Sequence, residues 1–164
     1  MTHNILVSDP ISEEGLQSLI HHPDFKVDFK SGLTEEELVD IIPNYQGLIV
    51  RSQTQVTESI INHASNLKVI ARAGVGVDNI DIKSATLNGI LVVNAPDGNT
   101  ISATEHSVAM ILAMARNIPQ AYTSLKNKEW NRKAFKGVEL YQKVLGVIGA
   151  GRIGLGVAER LKSF

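Results

Sequence analysis

Three glycines close to the end of the chain, Gly149, Gly151 and Gly154, stand in the G-x-G-x-x-G spacing. They directly follow the apolar run 143–148 and precede a helical pattern of apolar residues over 153–161. In this context Gly149 would permit a tight turn, Gly151 would let the backbone approach a pyrophosphate, and Gly154 would let a helix pack closely on a strand. Unpaired N–H groups at the helix N-terminus would face the phosphates. The spacing predicts a dinucleotide-binding turn, and an ordinary glycine-rich strand-to-helix turn is the alternative.

The acidic residue that holds the adenosine ribose is expected about 20 residues beyond such glycines. Only residues 155–164 follow Gly154. We therefore expect the chain to hold the opening strand and helix of a dinucleotide-binding domain without its ribose ligand. On this interpretation the chain is a truncated part of a longer protein.

Two arginines earlier in the chain each stand after a predicted strand. Arg51 follows the run Gly47–Val50, and Arg72 follows Lys68–Ala71. Because the carboxyl ends of parallel strands meet at one edge of a sheet, where open α/β folds bind ligands, we expect both guanidinium groups at that edge. A guanidinium binds carboxylate or phosphate in a bidentate manner, so the pair suits an anionic ligand. Exposed arginines beside a turn are the alternative.

The segment after Arg72 adds backbone donors to this edge. Residues 73–79 read AGVGVDN, and Gly74 and Gly76 would leave N–H groups free to close around an anionic oxygen. Two guanidinium groups and such a loop suit a ligand with two anionic ends. The sequence thus predicts an anion site.

Other polar residues receive structural interpretations. Asp78 is expected to act as a cap or turn acceptor before the following helix, and Glu105 to cap the start of its own helix. His106 is expected to be packed. His21 and His22 are adjacent, so they cannot form the i, i+4 pair of a helical metal site. No metal site is predicted.

Short apolar runs alternate with helical patterns along the chain, which predicts an α/β fold with a parallel sheet. The predicted strands are Asn4–Ser8, Lys26–Lys30, Gly47–Val50, Lys68–Ala71, Ile90–Asn94 and Lys143–Ile148. The predicted helices are Ser12–His22, Thr34–Ile42, Thr57–Ala64, Asp81–Asn88 and Ile101–Asn117.

Local signals mark the ends of several of these helices. Thr34 and Glu37 have the spacing of a capping box, as do Ser102 and Glu105, and Gly89 has the place of a left-handed C-terminal cap. Apolar residues lie nearly all round the longest predicted helix, which predicts burial on several of its sides.

Turn-forming residues at 95–99 follow the fifth predicted strand. They place a boundary between two domains at about residue 98. The later segment Tyr122–Arg132, with the only tryptophan, Trp130, is predicted to lie on the surface.

Composition excludes several classes of protein. The 164 residues are 43% hydrophobic and 20% charged, which is typical of globular chains. The formal net charge of -1 argues against a nucleic-acid or anionic-membrane partner. No apolar run is long enough to span a membrane and no export signal is found, while the absence of cysteine favours a reducing compartment, so we expect the cytoplasm.

Five motifs together resemble the D-isomer-specific 2-hydroxyacid dehydrogenases. They are LIVRS at 48–52, ARAGVGVDNID at 71–81, NAPDGN at 94–99, WNRK at 130–133 and GAGRIG at 149–154. The resemblance covers essentially the whole chain. It implies a flavodoxin-like, parallel-sheet substrate-binding domain over residues 1–98. Residues 99–164 would form a linker helix and the truncated start, one βα unit, of an NAD-binding Rossmann domain.

The resemblance also implies roles for single residues. Arg51 and Arg72 would approach the phosphate end of a substrate, and the backbone amides of Gly74, Val75 and Gly76 would hold its carboxylate. Val75 stands where some relatives carry threonine, so a hydroxyl contact to the cofactor is lost there while the backbone amide remains.

The resemblance implies that Asn99 lines the cleft as a further substrate-binding residue. Toward the cofactor, it implies that Arg152 and Ile153 contact the pyrophosphate beside the three glycines. Asp97 stands where some relatives carry asparagine, which adds negative charge near an anion cleft. The family's catalytic arginine, glutamate and histidine lie beyond Phe164. We therefore expect no catalytic residue in this chain and no dehydrogenase activity from it alone.

For the intact protein the resemblance implies an oxidoreductase that transfers hydride from C2 of a small anionic 2-hydroxy acid to NAD. Its substrate would be phosphorylated, and its assembly a homo-oligomer. A glyoxylate or hydroxypyruvate reductase is the alternative within the class. A non-enzymatic, NAD-sensing binding protein of the same fold is the alternative outside it.

Overall fold

The computed structural model describes residues 2–164, and the chain divides into two compact units, one up to Gly98 and one from Asn99. The first unit contains a sheet of five parallel strands in the order β2-β1-β3-β4-β5. They are β1 (His3–Val7), β2 (Phe25–Phe29), β3 (Gly47–Val50), β4 (Val69–Arg72) and β5 (Leu91–Asn94). The predicted α/β fold with a parallel sheet is confirmed.

Short helices cover both faces of this sheet. One face packs against α2 (Glu35–Ile41), α3 (Glu58–His63) and α4 (Ile82–Leu87). The other packs against a 3-10 turn at Glu13–Leu16 and the single turn α1 (Gln17–Ile20). Because the central strand β3 is buried on both faces, it reads as a continuous apolar run, whereas the edge strand β2 alternates apolar and charged residues.

Strand β3 shows how the core is divided. Leu48 and Val50 are fully buried on the side of α2, α3 and α4, whereas Ile49 between them packs on the opposite side. Gly47 starts the strand, and a Cβ there would lie 2.6 Å from the Ile5 side chain of β1. The apolar run that predicted β3 therefore holds the sheet together at its centre and ends where the candidate site begins.

Five of the six predicted strands are present, with bounds shifted by at most one residue. The sixth, Lys143–Ile148, is wrong: the segment has no regular secondary structure and pairs with no strand among residues 2–164. Val144 is 99% exposed there. A strand needs a hydrogen-bonded neighbour, which an apolar run alone does not supply.

Of the two capping boxes predicted at helix starts, one is confirmed and one is wrong. The capping box at α2 is confirmed, since Glu37 N–H donates to Thr34 Oγ1 and Thr34 N–H donates to Glu37. The predicted box of Ser102 and Glu105 is wrong, because the N-cap of the helix is Asn99, three residues before Ser102. Ser102 instead donates its hydroxyl to the Asn99 carbonyl, and Glu105 lies exposed inside the helix.

The predicted helix Ser12–His22 is broken in the structure. Its first half is the 3-10 turn at Glu13–Leu16, and only Gln17–Ile20 forms an α-helical turn. Gly15, a poor helix former, lies inside the segment.

The second unit contains α5 (Thr100–Ala115), α6 (Ile118–Lys126) and α7 (Arg152–Leu161). Helix α5 packs against α6 and α7, and Gly156 of α7 allows a close approach, since a Cβ there would lie 2.8 Å from Thr104 Oγ1. Within residues 2–164 Thr104 is the buried residue of α5 and Met114 is 73% exposed, so burial of α5 on several sides, by a second domain or a partner subunit, stays a prediction. The surface position of Trp130, which is 76% exposed, is confirmed.

A buried tyrosine connects the start of β3 with β2 and gives a prediction. Tyr45 is 5% exposed, and its hydroxyl donates to Asp28 Oδ2 at 3.1 Å. Burial, followed by the hydrogen bond to Asp28 and its negative charge, raises the pKa of Tyr45 above its usual value. Replacing Tyr45 by phenylalanine should lower the free energy of unfolding by about 1 kcal/mol at neutral pH.

The loss in free energy of unfolding caused by Tyr45→Phe should become smaller at alkaline pH. The unfolded tyrosine ionises near pH 10 while the folded one keeps its proton, so the wild type loses stability there that the phenylalanine variant does not lose. Urea unfolding of both proteins at pH 7 and pH 10.5 measures the difference. Tyr122→Phe, at a residue that is 65% exposed, is the control and should show neither effect. A stability difference independent of pH would contradict the raised pKa.

Candidate functional site

Both arginines lie at the carboxyl edge of the sheet. Arg72 is the last residue of β4 and is in register with Val50 and Asn94, and Arg51 directly follows Val50. Their guanidinium groups take different directions. The Arg72 group folds over the next loop, so that a Cβ on Gly74 would collide with its Nη1 and lie 3.1 Å from its Cζ. The Arg51 Nη1 lies 3.5 Å from the Pro10 carbonyl oxygen.

The structure thus places Arg72 against the loop 74–76, whose backbone N–H groups were predicted from the sequence to bind an anion. A side chain at position 74 would displace the guanidinium from this place. Its own N–H is already engaged, however, since it donates to the Arg72 carbonyl at 2.8 Å. Of the three expected amide donors, the structure therefore leaves two, Val75 and Gly76, which have no acceptor among residues 2–164.

The orientation of these two N–H groups is set by the end of β5. Asn94 donates its side-chain amide to the Val75 carbonyl at 2.6 Å, and Ala95 N–H donates to the Gly74 carbonyl at 2.9 Å. In a trans peptide the C=O and N–H point in opposite directions, so the N–H groups of Val75 and Gly76 point away from β5. The loop can offer both of them to one anionic oxygen.

A buried carboxylate that sequence reasoning missed holds the Arg51 segment. Asp9 is 3% exposed and accepts hydrogen bonds from the N–H groups of Arg51, Gln53 and Thr54, at 2.6, 3.1 and 3.0 Å for the shorter contacts. The Thr54 hydroxyl donates to it as well, at 2.6 Å. Asp9 closely follows β1, just as Arg51 follows β3. The rule that residues after parallel strands meet at one edge of the sheet therefore also applies to Asp9.

Asn79 is the second residue that was missed. It is 6% exposed and connects the two arginine segments: its amide group donates to the carbonyls of Arg51 and Thr54 at 2.8 and 2.7 Å. Its Oδ1 accepts from Arg72 Nε at 3.3 Å. Asn79 lies inside the 73–79 segment, but nothing in the pattern of glycines indicates its contacts.

The helix after this loop is capped by a different aspartate from the predicted one. Asp81, rather than Asp78, is the N-cap of α4 and accepts from the Ser84 N–H at 2.9 Å and the Ser84 hydroxyl at 3.0 Å. These hydrogen bonds lower the pKa of the Asp81 carboxyl. Asp78 is exposed, and its Oδ1 would meet a Cβ placed on Gly76 at 2.8 Å.

The three glycines of the second unit have different environments. Gly149 has φ +94°, a conformation that side chains rarely adopt. A Cβ on Gly151, the N-cap of α7, would meet nothing within 4 Å, whereas a Cβ on Gly154 would collide with the Gly149 carbonyl oxygen. The open space at Gly151 and the first N–H groups of α7 fit a pyrophosphate, and Arg152 and Ile153 begin that helix.

The remaining predicted residues lie in the segment 97–106. Asn99 is exposed at the N-cap of α5, and Asp97 is exposed in the turn before it. The expected packing of His106 is wrong, since it is exposed on α5. Within residues 2–164 no three histidine, aspartate or glutamate side chains form a metal-binding group, and no helix is long and apolar enough to cross a membrane.

Comparison with known proteins gives the family. The sequence profile of the D-isomer specific 2-hydroxyacid dehydrogenases, catalytic domain, matches residues 5–150. The chain belongs to this family. The D-3-phosphoglycerate dehydrogenase of Archaeoglobus fulgidus is 53% identical over 159 residues, which make up 97% of this chain and 30% of that enzyme. The 2-hydroxyacid dehydrogenase chain described here thus spans about 30% of the length of the curated relatives it matches.

Solved structures agree with the fold of this 2-hydroxyacid dehydrogenase chain. A Thermus thermophilus protein matches with a TM-score of 0.87 at 29% identity, over 98% of this chain and 53% of its own. The 3-phosphoglycerate dehydrogenase of Entamoeba histolytica, solved with NAD+ bound, matches with a TM-score of 0.78 at 28% identity, over 99% of this chain and 51% of its own.

The contact of Gly154 with the glycine turn gives a second prediction. Gly154→Ala should lower the stability of the second unit by about 1–3 kcal/mol, because its methyl group would be forced against a backbone oxygen. Denaturant unfolding followed by the fluorescence of Trp130, which lies in the same unit, measures this. Gly146→Ala is the matched control, since a Cβ there meets nothing within 4 Å. Equal denaturant midpoints for Gly154→Ala and Gly146→Ala would contradict this prediction, because they would show that the glycine turn accommodates the methyl group without losing stability.

Proposed function

We propose that the intact protein is an NAD-dependent D-3-phosphoglycerate dehydrogenase, which oxidises C2 of 3-phosphoglycerate to the 2-oxo acid at the start of serine synthesis. One observation carries the proposal: the Arg72 guanidinium lies over a loop with two unengaged N–H groups, at the sheet edge that also carries Arg51. Curated enzymes of that name that are about half identical to this chain support it.

The substrate has two anionic ends, and the site offers two kinds of donor. Arg51 and Arg72 would receive the phosphate, because a guanidinium matches its oxygens in a bidentate manner. The N–H groups of Val75 and Gly76 would receive the carboxylate at the other end. A glyoxylate or hydroxypyruvate reductase would have no phosphate for the arginines, which is why we place phosphoglycerate first.

The cofactor in this proposal is NAD, which accepts the hydride from the substrate C2. The residues that fit it here are those for its pyrophosphate: the turn at Gly149, the open approach at Gly151, and the α7 N-terminus with Arg152 and Ile153. Asn99 is proposed to line the cleft as a substrate-binding residue. We place the protein in the cytoplasm.

The arginine assignment predicts a substrate-dependent loss of activity. A hydrogen bond between charged groups contributes about 1.5–3 kcal/mol, so Arg72→Ala in the intact protein should lower kcat/KM for 3-phosphoglycerate about ten- to a hundredfold. Arg72→Lys should recover part of this loss, because an ammonium keeps the charge without the bidentate fork.

Turnover of an unphosphorylated 2-hydroxy acid is the control, and it should fall much less in Arg72→Ala. The 164-residue chain serves as the blank, and we expect no NADH formation from it, because none of its residues is proposed as the family's catalytic arginine, glutamate or histidine. Equal losses on both substrates in a variant with an unchanged melting temperature would refute the phosphate assignment.

Self-association belongs to the proposal as well. Met110 and Met114, one turn apart on α5, are 55% and 73% exposed, an arrangement that a second copy could cover. Sedimentation of the intact protein should show a dimer or larger species. The double variant Met110→Glu, Met114→Glu should shift the distribution toward the monomer. Leu87→Glu in the first unit, at a residue that is 78% exposed, is the control and should leave the assembly unchanged. A monomeric wild type would contradict the proposed assembly.

A further inference from the structure

The side chain of Asn79 makes three hydrogen bonds at the candidate site. Both N–H bonds of its amide point to backbone carbonyls, those of Arg51 at 2.8 Å and Thr54 at 2.7 Å. Its oxygen receives the Nε–H of Arg72 at 3.3 Å. The residue is 6% exposed, so water does not compete strongly for these groups.

The orientation of this amide is determined by its partners. Exchanging its oxygen and nitrogen would direct an N–H at the Nε–H of Arg72 and an oxygen at the carbonyls of Arg51 and Thr54. Every contact would then pair donor with donor or acceptor with acceptor. The acceptor of Asn79 is therefore fixed toward Arg72.

The backbone of Asn79 is anchored independently of its side chain. Its carbonyl accepts from the N–H of Val56 at 2.8 Å, and the next residue, Ile80, forms a parallel bridge with Val56. The N–H of Asp81 in turn donates to the Val56 carbonyl at 2.9 Å. The amide thus projects from a fixed point and not from a mobile loop.

This contact decides which edge of the guanidinium is available. With Nε engaged by Asn79, the terminal edge formed by Nη1 and Nη2 remains, and Nη1 lies over Gly74. A terminal edge can bind two oxygens of an anion in parallel. Within residues 2–164 no other side chain hydrogen-bonds to this guanidinium, and no carboxylate forms an ion pair with it.

We propose that Asn79 is a positioning residue that holds Arg72 with its terminal guanidinium edge presented to the anionic end of the substrate and ties it to the backbone that carries Arg51. The inference rests on the proposed function and adds a residue to it. A neutral amide performs this task better than a carboxylate, because it orients the guanidinium without neutralising its charge.

The test in the intact protein is a double-mutant cycle on Arg72 and Asn79. Asn79→Ala should raise KM for 3-phosphoglycerate about tenfold and leave kcat within about twofold, because binding of the ground state is what suffers. In the Arg72→Ala background the same change should raise KM by less than about twofold, since the group that it positions is gone. Asn88→Ala, which also removes an asparagine bonded to a backbone carbonyl, should leave KM unchanged.

A second variant covers the case in which Asn79→Ala fails to fold. Asn79→Asp keeps an acceptor for Arg72, but it adds a charge that neutralises the guanidinium and loses both donors to the carbonyls of Arg51 and Thr54, so it should also raise KM for 3-phosphoglycerate. NMR of the 164-residue chain without substrate gives a second readout. The Nε–H proton of Arg72 should be protected from exchange with solvent. Its chemical shift should change in Asn79→Asp and stay the same in Asn88→Ala.

The outcomes separate the inference from the proposed function. If Arg72→Ala raises KM while the folded Asn79 variants do not, or if their effects add fully in the Arg72→Ala background, the positioning role is overturned and the proposed function stands. If Arg72→Ala itself leaves KM unchanged, the anion site of the proposed function is wrong, and the positioning role for substrate falls with it.

Discussion

The buried carboxylate of Asp9 is the interaction on which the candidate site depends. Removing a charge from water costs several kcal/mol unless polar partners replace the water. Here the N–H groups of Arg51, Gln53 and Thr54 and the Thr54 hydroxyl replace it. Because the carboxylate needs those donors, the chain after β3 must turn back toward the end of β1. The position of Arg51 follows from that requirement.

A parallel sheet alone would bring the two arginines to one edge without fixing their side chains. Asn79 joins the segment held by Asp9 to the Arg72 guanidinium, and Gly74 gives that guanidinium room to lie over the loop. The end of β5 then turns the loop N–H groups outward through Asn94. The site is therefore assembled from four segments, each of which follows a strand of the sheet, and its order comes from hydrogen bonds between them.

Sequence reasoning succeeded where the signal is local. The apolar run Gly47–Val50 matches β3 residue for residue, and the Thr34–Glu37 spacing gives a real capping box. It failed where the partner is distant in the chain: Asp9 and Thr54 are separated by 45 residues, and no pattern connects them. The same limit explains the run 143–148, where apolar residues predicted a strand but pairing depends on a neighbour elsewhere. The roles of the site residues remain predictions.

The electrostatic arrangement explains why the edge can attract an anion even though a carboxylate lies close to it. The Asp9 carboxylate accepts hydrogen bonds from backbone N–H groups and a hydroxyl, so it does not need a guanidinium as an ion-pair partner. Arg72 is oriented by a neutral amide, and Arg51 reaches a carbonyl oxygen. Within residues 2–164 neither arginine forms an ion pair. Both positive charges therefore remain available to an incoming anion.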